Sequence, residues 1–247
     1  MMTVAGAAYA ADMPIKAPVD QTATFESRFA CGVFQTVGSN LMYNNTGNVL
    51  NRNPTSLTIA DCMDKETGLY VLGFGAVPLS KMDDGLEGDV LVGRRFKMLD
   101  IFNVDIRAGV YEFRLGGVNY TTFNSRAVVS LPFVVGPFKL RAFGGADYQH
   151  NHVLGPNVDT VGVFGGMAAS YQLTDRLRAD LTGETWYYPT SWFPNQNATV
   201  YSLTGALGYQ LNKNVEVGPR AVVAWCNILT TNCDANYTIG GFLKATW

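Results

Sequence analysis

From Phe138 onward the strands of this chain have two chemically different faces, and the charges keep to one of them. Over Val215–Trp225 the alternate residues Val215, Val217, Pro219, Ala221, Val223 and Trp225 are apolar, while the set between them holds Glu216 and Arg220. Leu177–Tyr187 sets Leu177, Ala179, Leu181 and Tyr187 against Arg178, Asp180, Glu184 and Trp186. Phe138–Tyr148 places Lys139, Arg141 and Asp147 together, and Thr199–Leu211 opposes Tyr201, Leu203, Leu207 and Tyr209 to Ser202, Thr204 and Gln210. The last twelve residues repeat the pattern, with Tyr237, Ile239, Leu243 and Trp247 facing away from Thr238, Lys244 and Thr246. A period of two is the side-chain alternation of a β-strand, so the chain reads as all-β.

Such strands fit a soluble barrel or sandwich with the apolar face inward, or a transmembrane barrel with it outward. Three features favour lipid. The apolar face is rich in Gly and Ala, which fill a soluble core poorly. Aromatics recur near strand ends, at Tyr148, Tyr171, Tyr187, Tyr201, Tyr209, Trp225 and Trp247, as the girdles of a spanning barrel require. The opposite face carries enough charge to line a wet lumen, where Glu216 with Arg220, Arg178 with Asp180, and Lys139 with Asp147 are candidate pairs.

Charged residues make up 15% of the chain, below the roughly 25% of ordinary soluble domains, and aromatics reach 12%. A net charge of -2 leaves no basic surplus for a nucleic-acid partner. No run approaches the ~18 apolar residues of a membrane helix, since Ala127–Phe138 is short and holds Ser130, Pro132 and Gly136.

Very short turns at Leu99–Ile101, Val135–Pro137, Thr174–Arg176 and Asn212–Asn214 alternate with longer polar loops at Leu115–Thr122, His152–Asp159, Thr190–Asn197 and Leu229–Ala235. That asymmetry implies short periplasmic turns and longer external loops. Earlier strands are expected near Thr24–Thr36, Leu69–Leu79, Glu87–Lys97, Phe102–Phe113 and Phe123–Val134, with a weaker one near Thr55–Met63 needed for closure. Termini on one side demand an even count, hence a closed antiparallel barrel of about twelve strands, with ten the alternative. Ser39–Pro54, polar and Asn-rich, reads as a long external loop.

Residues 1–10 read as the remnant of a secretory signal peptide, because Ala8-Tyr9-Ala10 fits a cleavage site. Residues 11–22 would then be a mature N-terminal segment and 23–247 the barrel. Four cysteines suit an oxidising compartment. Cys226 and Cys233 flank a short polar loop and are candidates for a disulfide, while Cys31 and Cys62 could pair or stay free.

His150 and His152 share one side near a loop rim, with Asp147 and Asp159 the nearest carboxylates, which is a thin basis for a metal site. His150 with Asp147 has no adjacent nucleophile, and Asp180 with Glu184 more simply lines a lumen than performs acid–base work. Gly144-Gly145 and Gly165-Gly166 fall inside strands, where Gly permits close approach or a bulge, so they are no phosphate cradle. No catalytic residue, metal or cofactor is expected from these residues.

Ala142-Phe143-Gly144-Gly145-Ala146-Asp147-Tyr148-Gln149, Gly183-Glu184-Thr185-Trp186-Tyr187-Tyr188-Pro189-Thr190, and Leu207-Gly208-Tyr209-Gln210-Leu211 followed by Val217-Gly218-Pro219 resemble segments of the BcsS family. Met82-Asp83-Asp84-Gly85-Leu86 is similar to an Asp-Gly turn there, whereas Arg220 and the long Ser39–Glu66 segment depart from it. These are outer-membrane barrels encoded with bacterial cellulose synthesis machinery. The resemblance implies a non-enzymatic accessory of polysaccharide export, with cellulose or its synthesis complex as partner. A small porin and a structural surface antigen are the alternatives. In each, the lipid bilayer is the first partner, and the terminal aromatic strand resembles the signal read by the barrel assembly machinery.

Overall fold

A strand whose two faces demand different solvents gains most when its sheet closes, because closure leaves no unpaired edge in a medium that offers no hydrogen bonds. The computed structural model describes residues 28–39, 42–43, 49–51, 54–78, 87–115, 118–152, 158–189, 198–228 and 231–247. Its strands are β1 (Phe29–Ser39), β2 (Met42–Tyr43), β3 (Val49–Asn51), β4 (Pro54–Asp64), β5 (Leu69–Pro78), β6 (Glu87–Met98) and β7 (Phe102–Leu115), followed by β8 (Val118–Val135), β9 (Phe138–His152), β10 (Val158–Gln172), β11 (Leu177–Tyr188), β12 (Ala198–Asn212), β13 (Val215–Ile228) and β14 (Thr231–Thr246). Twelve of them, β1 and β4–β14, form one closed antiparallel barrel, each paired with its sequence neighbour and β1 closing on β14. The weak strand near Thr55–Met63 is β4, so the count is twelve and not ten.

The outer surface is apolar. Val90, Val92, Ile106, Val110, Val161, Val163, Met167, Leu181, Leu203, Leu207 and Ile239 are all more than two-fifths exposed, an arrangement that water would penalise and acyl chains accept. Aromatics cap this band at both rims. Phe138 packs on Tyr171 at one end (5.1 Å between ring centroids), and Tyr201 stacks on Trp225 at the other (5.6 Å). Trp247 is 65% exposed on the same outer face.

At the rim where the barrel closes on Trp247, the connections run two to four residues, at 65–68, 99–101, 136–137, 173–176 and 213–214. The 136–137 turn needs a positive φ at its first position, which Gly136 supplies at 58°. Opposite, the expected asymmetry holds at 40–53, 79–86, 153–157 and 189–197, but two expected loops are largely strand. β7 and β8 extend to Leu115 and from Val118, and β13 and β14 extend to Ile228 and from Thr231. Polar residues such as Asn119 and Thr121 suggested a loop, but a strand that has left the bilayer has no need of an apolar face. The expected 39–54 loop contains the β2–β3 hairpin, and the expected start near Thr24 falls before Phe29, outside the described residues, as do the expected signal remnant and the 11–22 segment.

Candidate functional site

The inner wall is built from the residues opposite the lipid-facing set. Lys139, Arg141 and Asp147 on β9, Arg178, Asp180, Glu184 and Trp186 on β11, Glu216 and Arg220 on β13, and Lys244 on β14 share that face in the register of the ladders. The expected ion pairs fare differently. Arg178 Nε donates to Asp180 at 2.9 Å, as expected, and Arg178 Nη2 also reaches Glu216 at 3.1 Å. Among the described ion pairs Glu216's partner is Arg178, two strands away. Four residues along a strand span about 13 Å, so same-strand contacts are made by near positions such as Arg178 and Asp180. For the same reason Lys139 and Asp147, eight residues apart, do not pair. Asp147 instead takes Arg126 Nε at 3.1 Å and Gln149 Nε2 at 2.7 Å.

Arg126 is the centre of a group that pattern reading did not find. Its guanidinium lies 4.6 Å over the Trp186 ring and 5.6 Å over Phe164, which themselves stack at 4.1 Å. Tyr188 continues that column beside Trp186 at 6.2 Å. A cation over aromatic faces gains from the ring quadrupole, and most where water is excluded. Trp186 is only 5% exposed, so it reads as part of this wall and not as a free surface. Glu184, one alternation below Trp186, accepts a hydrogen bond from Ser202 Oγ at 2.9 Å.

A second cluster lines β4–β7. Tyr70 Oη donates to Asp105 at 2.6 Å, Arg95 Nε reaches the same carboxylate at 3.0 Å, and Arg95 Nη1 reaches Asp61 at 3.4 Å. Arg107 is buried beside them, and Asn124 Nδ2 donates to Asp89 at 3.3 Å. These went unread because β6 and β8 alternate poorly. Arg94 and Arg95 are adjacent on opposite faces, and Val128 faces inward among polar neighbours.

The wall is uneven along its length. Toward the loop rim, inward Tyr111, Thr122, Asn124, Gln149 and Thr160 are all buried. At the short-turn mouth, inward Lys97, Lys139, Gln172 and Gln210 are exposed. The described ion pairs of the wall join strands no more than two apart, so none of them ties opposite walls together.

Several inward glycines, among them Gly145 and Gly166, are covered by aromatic rings. Phe143 lies opposite Gly166 and Phe164 opposite Gly145 on β9 and β10, so each ring fills the space its partner's missing side chain leaves. A Cβ on Gly166 would come within 2.6 Å of the Phe143 ring. Close approach, one of the two roles read for these glycines, is thus the one realised here.

The expected histidine pair divides from Asp147. His150 faces outward, 2.5 Å from Asp159, which also accepts from Tyr148 Oη at 3.0 Å. Asp147 faces inward, so the strand itself separates the two, and no metal-binding cluster forms among the described residues. At fifteen residues each, β9 and β10 exceed the ~9–11 that span a bilayer, which leaves Asp159 beyond it. There the hydrogen bond to His150, then that from Tyr148, hold the Asp159 carboxyl below its ordinary pKa.

At the end of the chain Ile239, Leu243 and Trp247 are exposed, while Tyr237 lies opposite Val223 in register with its side chain outside the described set. Cys31 and Cys62, left open by the sequence, are disulfide-bonded across β1 and β4. Cys226 and Cys233 are opposite one another in the β13–β14 ladder, with their side chains outside the described set.

A closed, even-stranded antiparallel sheet with lipid outside and charge inside is a transmembrane β-barrel of the outer-membrane type. No protein-family profile and no curated protein sequence matches the chain. Among solved structures it is similar to the KdgM porin, with a TM-score of 0.51 and 8% identity over 87% of this chain and 97% of the porin. The KdgM porin in complex with disordered oligogalacturonate gives the same values. An outer membrane channel from Pseudomonas putida F1 has a TM-score of 0.51 and 8% identity, over 94% of this chain and 100% of that one. At such identities the likeness is one of fold.

Proposed function

We propose that this protein is a non-enzymatic channel of a Gram-negative outer membrane, passing small polar solutes through its lumen. The observation that carries the reading is the inner wall, a polar and charged lining whose described ion pairs join strands no more than two apart. Exposed Lys97 and Lys139 mark the mouth. The fold shared with outer-membrane channels supports it, and the short turns would then face the periplasm. Planar-bilayer recording of the purified, refolded chain is the test, with discrete open-channel steps expected. Silent bilayers from correctly folded protein would remove the reading. They would favour an occluded structural barrel, which the burial of Thr122, Gln149 and Thr160 toward the loop rim supports.

A finer reading is an accessory role in cellulose or exopolysaccharide export. Its support is the likeness of residues 142–149 and 183–190 to the BcsS family. A cellulose synthase encoded beside this gene would be expected, and its absence from the gene neighbourhood would leave the general channel. Recognition of β14 by the barrel assembly machinery is proposed on the same footing, with Ile239, Leu243 and Trp247 as the outward signal.

A further inference from the structure

Among the side chains described, Arg94 is the one arginine or lysine on the lipid-facing surface of a strand, and its surroundings single it out. Along β6 its outward neighbours are Val92 and Phe96. Across the ladders it stands opposite Leu69 on β5 and Ile106 on β7. All four are exposed apolar groups of the membrane band. A guanidinium held there is costly unless it reaches polar partners at the interface, which long side chains do by bending toward it.

Arg94 bends toward the short-turn rim. Its Nε donates to the main-chain carbonyl of Thr67, in the turn between β4 and β5, at 3.0 Å. The guanidinium carbon lies 5.9 Å from the Phe96 ring centroid. One of five N–H groups is thereby used. The four on the two Nη atoms have no partner among the described residues and sit where this rim meets the headgroups of the adjoining leaflet. The planar fork of an arginine matches two phosphate oxygens at once.

We propose that Arg94 is a phospholipid site: its Nη groups clamp the headgroup phosphate of one lipid, while Leu69, Val92, Phe96 and Ile106 pack against that lipid's chains. The Thr67 carbonyl acts as the positioning group, fixing the fork at headgroup depth. The site requires only that the barrel spans a bilayer, so it stands or falls independently of conduction.

The experiment is native mass spectrometry of the whole folded chain in an uncharged maltoside detergent, titrated with phosphatidylglycerol. Retention of one lipid per chain is expected. Arg94→Gln should weaken it by about tenfold or more, and Arg94→Lys, which keeps charge and loses the fork, by less. Diacylglycerol of the same chains should fail to bind, and inorganic phosphate should not compete at equal concentration. Equal retention by R94Q, equal binding of diacylglycerol, or displacement by inorganic phosphate would each overturn the proposal. Unchanged heat-modifiable gel migration of both variants shows that loss of lipid is not loss of fold.

Discussion

The main chain of Cys31 exchanges two hydrogen bonds with Trp247, N–H to O at 3.2 Å and O to N–H at 3.1 Å, while its sulfur is bonded to Cys62. The seam where the barrel closes is therefore one bond away from a covalent cross-link. A loop of 31 residues should make this disulfide worth about 3–4 kcal/mol by the chain-entropy estimate. Replacing both cysteines by serine should lower the urea midpoint accordingly and speed amide exchange at Trp247. An unchanged midpoint would show that the cross-link constrains nothing the unfolded chain would otherwise explore.

Arg126 and Asp147 form an ion pair with side chains 11% and 1% exposed. Removing only the cation strands a buried carboxylate, so Arg126→Ala should cost about 3–5 kcal/mol. Adding Asp147→Asn should recover much of it. Denaturant titration of the two variants in micelles decides the matter, and additive losses would rule out the pairing as the cause.

Two inward glycines should differ in whether they can be rescued. A Cβ on Gly145 meets the main-chain oxygen of Ala127 at 2.1 Å as well as the Phe164 ring, whereas the three atoms nearest one on Gly162 all belong to the Tyr188 ring, the first at 2.4 Å. Both alanine variants should lose about 1–3 kcal/mol. Tyr188→Leu should restore Gly162→Ala, and Phe164→Leu should not restore Gly145→Ala, as thermal unfolding would show.

Asp159 titrates below its ordinary range because His150 and Tyr148 hydrogen-bond its charged form. A depressed folded value means that the stabilisation is complete above the unfolded aspartate pKa, near 3.9, and disappears as pH falls through the folded value. His150→Ala should move the Asp159 carboxyl upward in an NMR titration and shift the acid limb of unfolding to higher pH. No movement would mean that the pair does not persist in solution.

For the channel reading, the mouth lysines are the sharpest handle. Changing Lys97 and Lys139 together to glutamate should shift the reversal potential in a salt gradient toward cation preference, without abolishing conductance. An unmoved potential would place the selectivity step elsewhere along the wall.

Alternation made the barrel readable wherever both faces had work to do. From Phe138 onward the strands are apolar on one side and polar or charged on the other, so Lys139, Arg178, Glu184 and Lys244 read as one face in the sequence. The earlier strands resisted because one face there mixes Val128 or Leu91 with polar groups, and because Arg94 breaks the exclusion of cations from the lipid side. Partners of the wall were less readable than its members. Arg126 with Asp147 and Arg178 with Glu216 depend on the register between strands, which no single strand's pattern contains.

The first strand of the ring pairs with the last, so the contact that completes it must be found across more than two hundred residues of chain. Before that contact forms, β1 and β14 each leave an edge unpaired. Such a sheet is most open to wrong partners just before it is finished. A chaperone that held those two edges apart would protect it for as long as synthesis and transit take.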